Sequence, residues 1–344
     1  MNIVLVATNP AAREAAVPLE DLMTETRARS ARWWTAANVP GQQGRTALIT
    51  GANTGIGFET AMVLAARGAT IVLACRDPAK AEAAAARIRA AAPQARTETL
   101  RVDLASLASV RQAAEQFRSD HRHLDLLINS AGLIRPGRVI TEDGFELHFG
   151  TNHLGHFALT GQLLDRLLAA PGSRIVTVTA SGHRRGDIHL DDLTLRDGYS
   201  MIAAYGQSKL ANLMFTYELQ RRLAASSART IAVAAHPGNA HTDVGRDLPG
   251  WLRAVLSPRL RPINAWLVQT VQMGALPTLR AATDPTASGS DYYGPGGLSE
   301  FTGYPVRVQS NARSHDAGLQ RRLWDESERL TGVSYRFAGS PAAG

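Results

Sequence analysis

Tyr205 and Lys209 stand four residues apart at the start of an amphipathic stretch that runs on as Leu210-Ala211-Asn212-Leu213-Met214-Phe215. On a helix, positions i and i+4 share a face, so phenol and ammonium lie side by side. A phenol with its ordinary pKa of about 10 is a poor base at neutral pH, and a neighbouring ammonium favours the phenolate. Such a pair can give a proton to a carbonyl oxygen, or take one from an alcohol, while a nicotinamide moves a hydride. The spacing alone is commonly structural. Its meaning depends on what else the chain carries.

Chemistry of that kind needs a phosphate cradle. Ala47-Leu48-Ile49-Thr50 reads as a short buried strand and leads into Gly51-Ala52-Asn53-Thr54-Gly55-Ile56-Gly57 and then a helix. Gly51 permits a tight turn, Gly55 lets backbone approach a pyrophosphate, and Gly57 allows close helix–strand packing. The helix start offers free N–H groups and the positive end of its dipole. The spacing is GxxxGxG and lacks the Gly-Lys-Ser/Thr of a P-loop; glycines that serve packing alone are the other reading. The end of the next strand, Ala74-Cys75-Arg76-Asp77, selects the dinucleotide. A carboxylate accepts from a ribose 2′-hydroxyl, whereas a 2′-phosphate wants a guanidinium. Arg76 therefore favours NADP(H) over NAD(H). Asp77 leaves dual use open, and a solvated loop arginine is the plain alternative.

The elements that must position these groups alternate along the chain. Short apolar runs predict strands over 46–50, 70–74, a third ending at 101–103, then 124–129, 174–178 and 230–235. Between them fall predicted helices over 58–67, 79–92, 109–119, 144–168 and 201–225. Strands each followed by a helical stretch make an α/β fold of Rossmann type: one domain, a doubly wound parallel sheet, helices on both faces. Its ligands sit past the carboxyl ends of the strands. Near the C-terminus, 314–331 is amphipathic around Leu319, Leu323 and Trp324.

The 344 residues divide into an extension over 1–33, with a helix expected over about 18–33, a domain over 34–335 and a tail over 336–344. The Pro-, Leu- and Trp-rich stretch 244–270 is a candidate substrate lid. Trp251, Leu252, Val255, Leu256, Trp266 and Leu267 could wall an apolar pocket there, or pack a core or interface. The net charge of +7 is scattered, without a basic run, and aromatics are 6%, which argues against a nucleic-acid partner. No apolar run is long enough to span a membrane, and the start lacks a basic signal region, so a cytoplasmic location is expected. Cys75 is the single cysteine and excludes a disulfide framework or thiolate cluster within the chain. His153 with His156, and His236 with His241, fall short of the three or four converging ligands a metal needs, so no metal is expected. His183, His236 and His241 either line the site or are packed or solvated. A homo-oligomer remains open.

Taken together, these residues resemble the short-chain dehydrogenase/reductase family. The shared elements are Thr50-Gly51-x-x-x-Gly55-Ile56-Gly57, Asp103-Leu104, Asn129-Ser130-Ala131-Gly132, Asn152, Tyr205-x-x-x-Lys209 and Pro237-Gly238, over about 34–335. The stretches Leu73-Ala74-Cys75-Arg76-Asp77, Thr151-Asn152-His153-Leu154-Gly155-His156-Phe157 and Ser208-Lys209-Leu210-Ala211-Asn212 look most like the retinol-dehydrogenase-like branch. The resemblance implies a cofactor loop through Gly51, Asn53, Thr54, Gly55, Ile56 and Gly57. It implies that Asp103 meets the adenine, backed by Leu104, and that Asn129, Ala131 and Gly132 line the cleft. Asn152 is implied to bend its helix and to hold a water in a proton relay with Lys209, which also binds cofactor ribose. Pro237-Gly238, with Thr242, is implied to seat the nicotinamide amide.

There are two departures. Ser130 stands where the family commonly has Asn. The family's catalytic serine falls on Ala180, flanked by Thr179 and Ser181, and Ser181 is the candidate hydroxyl if the loop shifts by one residue. The expected activity is hydride transfer between NADP(H) and the carbonyl or alcohol of an apolar small molecule. The alternative is a non-catalytic NADP(H)-binding sensor or scaffold.

Overall fold

A computed structural model of the chain describes residues 33–240 and 268–337. The expected helix over 18–33 falls almost wholly outside them, as do Thr242, His241 and the apolar residues of the candidate lid. Among the described residues eight strands form one sheet: β1 (Thr46–Thr50), β2 (Thr70–Cys75), β3 (Arg96–Arg101), β4 (Leu126–Asn129), β5 (Arg174–Val178), β6 (Ile231–Ala235), β7 (Tyr292–Pro295) and β8 (Pro305–Arg307). Their order is β3-β2-β1-β4-β5-β6-β7-β8, with only the β7–β8 pairing antiparallel. The strand order reverses between β1 and β4, the switch point at which open α/β sheets hold ligands. β1 and β4 are buried along their whole length, as strands covered on both faces must be.

The helices are α1 (Gly55–Ala66), α2 (Pro78–Ala91), α3 (Leu107–Asp120), α4 (Gly155–Gln162), α5 (Leu164–Leu168), α6 (Met201–Ala225), α7 (Val271–Thr283) and α8 (Ala317–Thr331). Capping chemistry sets several starts. Asp77 accepts from the Ala79 and Lys80 amides ahead of Pro78, and Ser106 accepts from Ser109, which starts α3 two residues before the expected 109. Asp316 caps α8, and Gly332, at φ +66°, ends it.

The expected single helix over 144–168 is not what forms. Gly144 sits at φ +85°, Glu146 pairs with Ile140 in an antiparallel bridge, and Phe149–Leu154 is a π-helical turn. Leu163, at φ −103° and ψ 3°, then separates α4 from α5. The third strand ends at Arg101, and Asp103 lies beyond it in a turn where its carboxylate accepts from the Ala105 amide. Helix α7 and strand β8 have no counterpart among the expected elements; Gly274 and Pro277 give α7 low helix propensity. α7 forms because Gly274 lets it press on α1: a Cβ there would lie 2.8 Å from Ile56 Cδ1 and 2.7 Å from Ala240 Cβ.

Under α8 lies an aromatic core. Trp324 packs its ring 4.5 Å from Tyr335 and 5.1 Å from Phe157, and Phe215 stacks on it at 5.9 Å. The Tyr335 hydroxyl donates to the Phe157 carbonyl at 2.7 Å. This cluster clamps α6 and α4, the two helices that carry the site, against the sheet.

Candidate active site

α6 places Tyr205 in its second turn, with Lys209 one turn further on. Lys209 is 4% exposed. Its ammonium lies 5.8 Å from the centre of the Tyr205 ring and donates to the Val178 carbonyl at 3.2 Å, at the carboxyl end of β5. Burial governs both groups: it pushes the Tyr205 phenol up to about 12 and the Lys209 ammonium down to about 8. The expectation that the ammonium pulls the phenol down is thus reversed. Desolvation of both charged forms outweighs their attraction here.

The π turn aims Asn152 inward, because the Gly155 amide donates five residues back to Gly150. Its side-chain amide donates to the Leu133 carbonyl (3.1 Å) and to Ser208 Oγ (3.1 Å), and its oxygen accepts from the Leu133 amide (2.9 Å). The Ser208 hydroxyl in turn donates to the Tyr205 carbonyl. Gly132 separates Asn152 from Lys209: a Cβ there would lie 3.3 Å from Lys209 Nζ and 3.5 Å from Asn152 Oδ1. Asn152 and Ser208 are therefore tied to the backbone of Tyr205, and Gly132 sets the spacing between Asn152 and the Lys209 ammonium. Ser208 belongs to a stretch that carries the family resemblance but is absent from the expected site residues, although it lies within the Tyr-x-x-x-Lys spacing.

A hydrogen-bonded wire runs behind these residues. Thr50 Oγ1 accepts from the Ser130 and Ala131 amides at 2.9 and 3.0 Å, so its one proton is left for His156 Nε2 at 2.9 Å, better placed than the Ile128 carbonyl at 3.4 Å. His156 Nε2 is then the acceptor, and Nδ1–H donates to the Asn152 carbonyl at 2.9 Å. The imidazole is neutral, and burial depresses its pKa to about 4. A wire thus runs from the start of the glycine loop to the backbone of Asn152. His153 is also engaged, at Ser327 Oγ.

Burial likewise holds His153 at about 3 and His183 at about 4. Above pH 6.5 these three imidazoles are neutral in both folded and unfolded chains. Below it the unfolded chain binds protons that the fold refuses, so stability falls as pH drops towards 4. At pH 5 each costs about 2 kcal/mol. Urea unfolding from pH 7 to 5 should show uptake of about three protons; a flat profile contradicts the assignment.

The glycine loop has the shape expected of it. Gly51 (φ +69°) and Gly55 (φ +58°) take left-handed turns, and a Cβ on Gly57 would lie 2.6 Å from the Gly51 carbonyl. Asn53 is half-buried, Ile56 is buried, and the Thr54 side chain makes no capping bond to α1, whose first amides stay available. Ala131 abuts Gly51, and the Asn129 amide nitrogen donates to Thr160 while its buried oxygen is unpartnered. Leu104 is buried, with its carbonyl against Gly155. Arg76 is exposed past the end of β2 and makes no ion pair among the described residues. Asp77 is occupied by capping α2. Cys75 is a buried thiol raised by burial to about 11, hence unreactive. A dinucleotide phosphate and a 2′-phosphate fit this chemistry: a helix start without a side-chain cap, and an exposed guanidinium without an ion pair among the described residues.

Past β5, Ala180 is extended (φ −152°, ψ 162°), and Ser181–Arg185 is a 3-10 turn. Gly182 lies against the Tyr205 ring: a Cβ there would be 3.2 Å from Cε1. Thr179 Oγ1 is spent on the Lys209 carbonyl, and the Ser181 hydroxyl makes no hydrogen bond among the described residues. Past β6, Gly238 takes φ +61°, and the Pro237 carbonyl accepts from Gln269. Among the described residues no group of three or more His, Cys, Asp or Glu could hold a metal, and no helix is long and apolar enough to cross a membrane.

Comparison with known proteins gives this geometry a family. The short chain dehydrogenase family profile matches residues 45–252. Retinol dehydrogenase 13 of Homo sapiens is 42% identical over 321 residues, covering 93% of this chain and 92% of that one. Retinol dehydrogenase 11 of Mus musculus is 40% identical, covering 84% and 87%. Among solved structures, an uncharacterized protein from Mycobacterium paratuberculosis superposes with TM-score 0.73 at 41% identity, covering 88% of this chain and 99% of that one. A protein designated an NAD(P) dependent gluconate 5-dehydrogenase, from Beutenbergia cavernae and holding NADP, gives TM-score 0.55 at 26% identity, covering 71% and 91%. The chain belongs to the short-chain dehydrogenase family of oxidoreductases and is retinol-dehydrogenase-like.

Proposed function

We propose that this chain reduces the carbonyl of an apolar small molecule, or oxidises the matching alcohol, with NADP(H) as the preferred cofactor. One observation carries the reading: Tyr205 and buried Lys209 lie side by side at the carboxyl ends of the central strands, next to Asn152 and Ser208, with Gly132 between Asn152 and the ammonium. The retinol dehydrogenases among its relatives support an apolar substrate.

The cofactor would lie across β1 and β4, held by the amides of Gly55, Ile56 and Gly57, by Asn53 and Thr54, and by Asp103, Leu104, Asn129, Ala131 and Gly132. It supplies or accepts the hydride. Tyr205, kept neutral by desolvation of its phenol, holds the proton that the substrate oxygen takes up during reduction. Lys209 stabilises the phenolate left behind and bonds ribose hydroxyls. The Asn152 carbonyl, fixed by His156, anchors the water that resupplies Lys209. Pro237 and Gly238 seat the nicotinamide amide, with Thr242 proposed to join them. The place of the family serine is held by Ala180; Ser181 opens the 3-10 turn that follows, where its hydroxyl makes no hydrogen bond among the described residues, and in this reading it does not take over the serine's part.

Arg76 confers the preference for the 2′-phosphate, because Asp77 is already committed to its helix cap. Arg76→Ala should weaken NADPH binding by about tenfold or more, the size of a lost charge-assisted hydrogen bond, and leave NADH binding unchanged. An unaltered NADPH-to-NADH affinity ratio removes that role. The activity itself is tested by NADPH oxidation with a panel of apolar aldehydes and ketones; binding without turnover across the panel favours a sensor or scaffold instead.

A further inference from the structure

Two turns leave the carboxyl ends of adjacent strands: Ser181–Arg185 after β5, with Gly182 against the Tyr205 ring, and Pro237-Gly238 after β6. A strap over residues 296–304, between β7 and β8, runs past both. Its middle is strained. Ser299 (φ 51°) and Glu300 (φ 58°) are consecutive left-handed residues, and neither is glycine. Such backbone is rare, and it persists only where surrounding contacts over-determine it.

Those contacts converge on one carboxylate. Glu300 Oε1 accepts from the Arg184 guanidinium at 2.7 Å, and Oε2 meets His236 Nε2 at 3.0 Å. The Gly238 amide donates to His236 Nδ1, so the imidazole proton sits on Nε2 and is donated to Glu300. His236 is fully buried and directly precedes Pro237. The strap's backbone reinforces the tie: Phe301 O accepts from the Asn239 amide at 2.9 Å, and a Cβ on Gly238 would fall 2.4 Å from that same oxygen. Gln269 bridges the Gly303 amide and the Pro237 carbonyl. Arg184 and His236 are 52 residues apart in the chain and on different strands' exits, yet one side chain holds both.

We propose that Glu300 is a positioning residue that ties the 181–185 turn to the Pro237-Gly238 turn across the mouth of the site. It thereby fixes the separation between the Tyr205 wall and the nicotinamide seat. The second statement rests on the functional reading above; the first does not.

The test uses the full chain and its Glu300→Ala and Glu300→Gln variants. Hydrogen–deuterium exchange without cofactor reads the tie itself. In Glu300→Ala, amides of 181–186 and of 236–239 should exchange at least about tenfold faster together, with β1 and β4 unchanged. Glu300→Gln keeps one acceptor oxygen and should loosen the two turns less. Loosening of only one turn, of neither, or of the whole sheet overturns the proposal; if the alanine variant does not fold, the glutamine variant decides by the same criteria. With NADPH and an apolar aldehyde, kcat/KM should fall about tenfold in Glu300→Ala and by an intermediate factor in Glu300→Gln, while the NADPH Kd stays within about twofold. An unchanged kcat/KM contradicts the positioning role. Where the unaltered chain binds NADPH but turns nothing over, the functional reading fails and the exchange result alone decides the tie.

Discussion

Replacing Tyr205 by Phe should lower kcat for NADPH-driven carbonyl reduction by on the order of 10²–10⁴, the usual worth of a positioned general acid. The ring stays, and so does its packing against Gly182. NADPH affinity and thermal stability should therefore remain near those of the unaltered chain, which separates lost chemistry from lost structure. The pH profile carries a sign as well. With the phenol near 12 and the ammonium near 8, Tyr205 stays protonated through neutral pH. Lys209 is charged below about 8 and loses its proton above it. Reduction should hold at acid to neutral pH and decline as pH rises through about 8, because a neutral amine no longer stabilises the phenolate formed when the proton leaves. A profile that rises through pH 8 contradicts the roles given to this pair.

The second large effect is a gain. Ala180→Ser should raise kcat for reduction by about a hundredfold, since one hydrogen-bond donor at a developing oxyanion is worth roughly 10²–10³. Position 180 ends the run that follows β5 in extended backbone, two residues before the glycine that touches Tyr205. A hydroxyl there adds one atom to a partly exposed side chain. Ser181→Ala should change kcat by less than about threefold. The reverse pattern, with Ser181→Ala costing a hundredfold and Ala180→Ser doing nothing, would mean that the loop presents Ser181 to the substrate after all. Steady-state kinetics of the two single variants separates these outcomes.

Much of this architecture is legible from residue order, and the reasons are local. Strands 46–50 and 174–178 and helix 201–225 have the expected bounds because apolar runs meet polar breaks there. The glycine loop is legible because Gly51 and Gly55 need left-handed backbone and Gly57 needs contact with the Gly51 carbonyl. What escapes is set at a distance. The break at Asn152 agrees with the bend that the family resemblance implies, but its form, a π turn set by a five-residue hydrogen bond and by Gly155 pressing against Leu104, is not registered by hydrophobic periodicity. α7 hides behind Gly274 and Pro277, and three-residue β8 is too short to announce itself. The pKa order of Tyr205 and Lys209 comes from burial, which spacing along one helix does not convey. Glu300 reaches partners 116 and 64 residues away. His156 resembles any packed histidine until its hydrogen-bond donors are counted.

The central claim is that hydride passes between NADPH and a carbonyl while Tyr205 supplies the proton. Deuterium transfer measures it most directly. NADPH deuterated at the reactive nicotinamide carbon is incubated with the protein and an apolar aldehyde, and the alcohol is examined by mass spectrometry. The expected result is one deuterium in the alcohol with the unaltered chain and, over the same time, label reduced at least about a hundredfold with Tyr205→Phe. Tight NADPH binding with no labelled alcohol from any apolar aldehyde or ketone, or equal labelling by Tyr205→Phe, would contradict it.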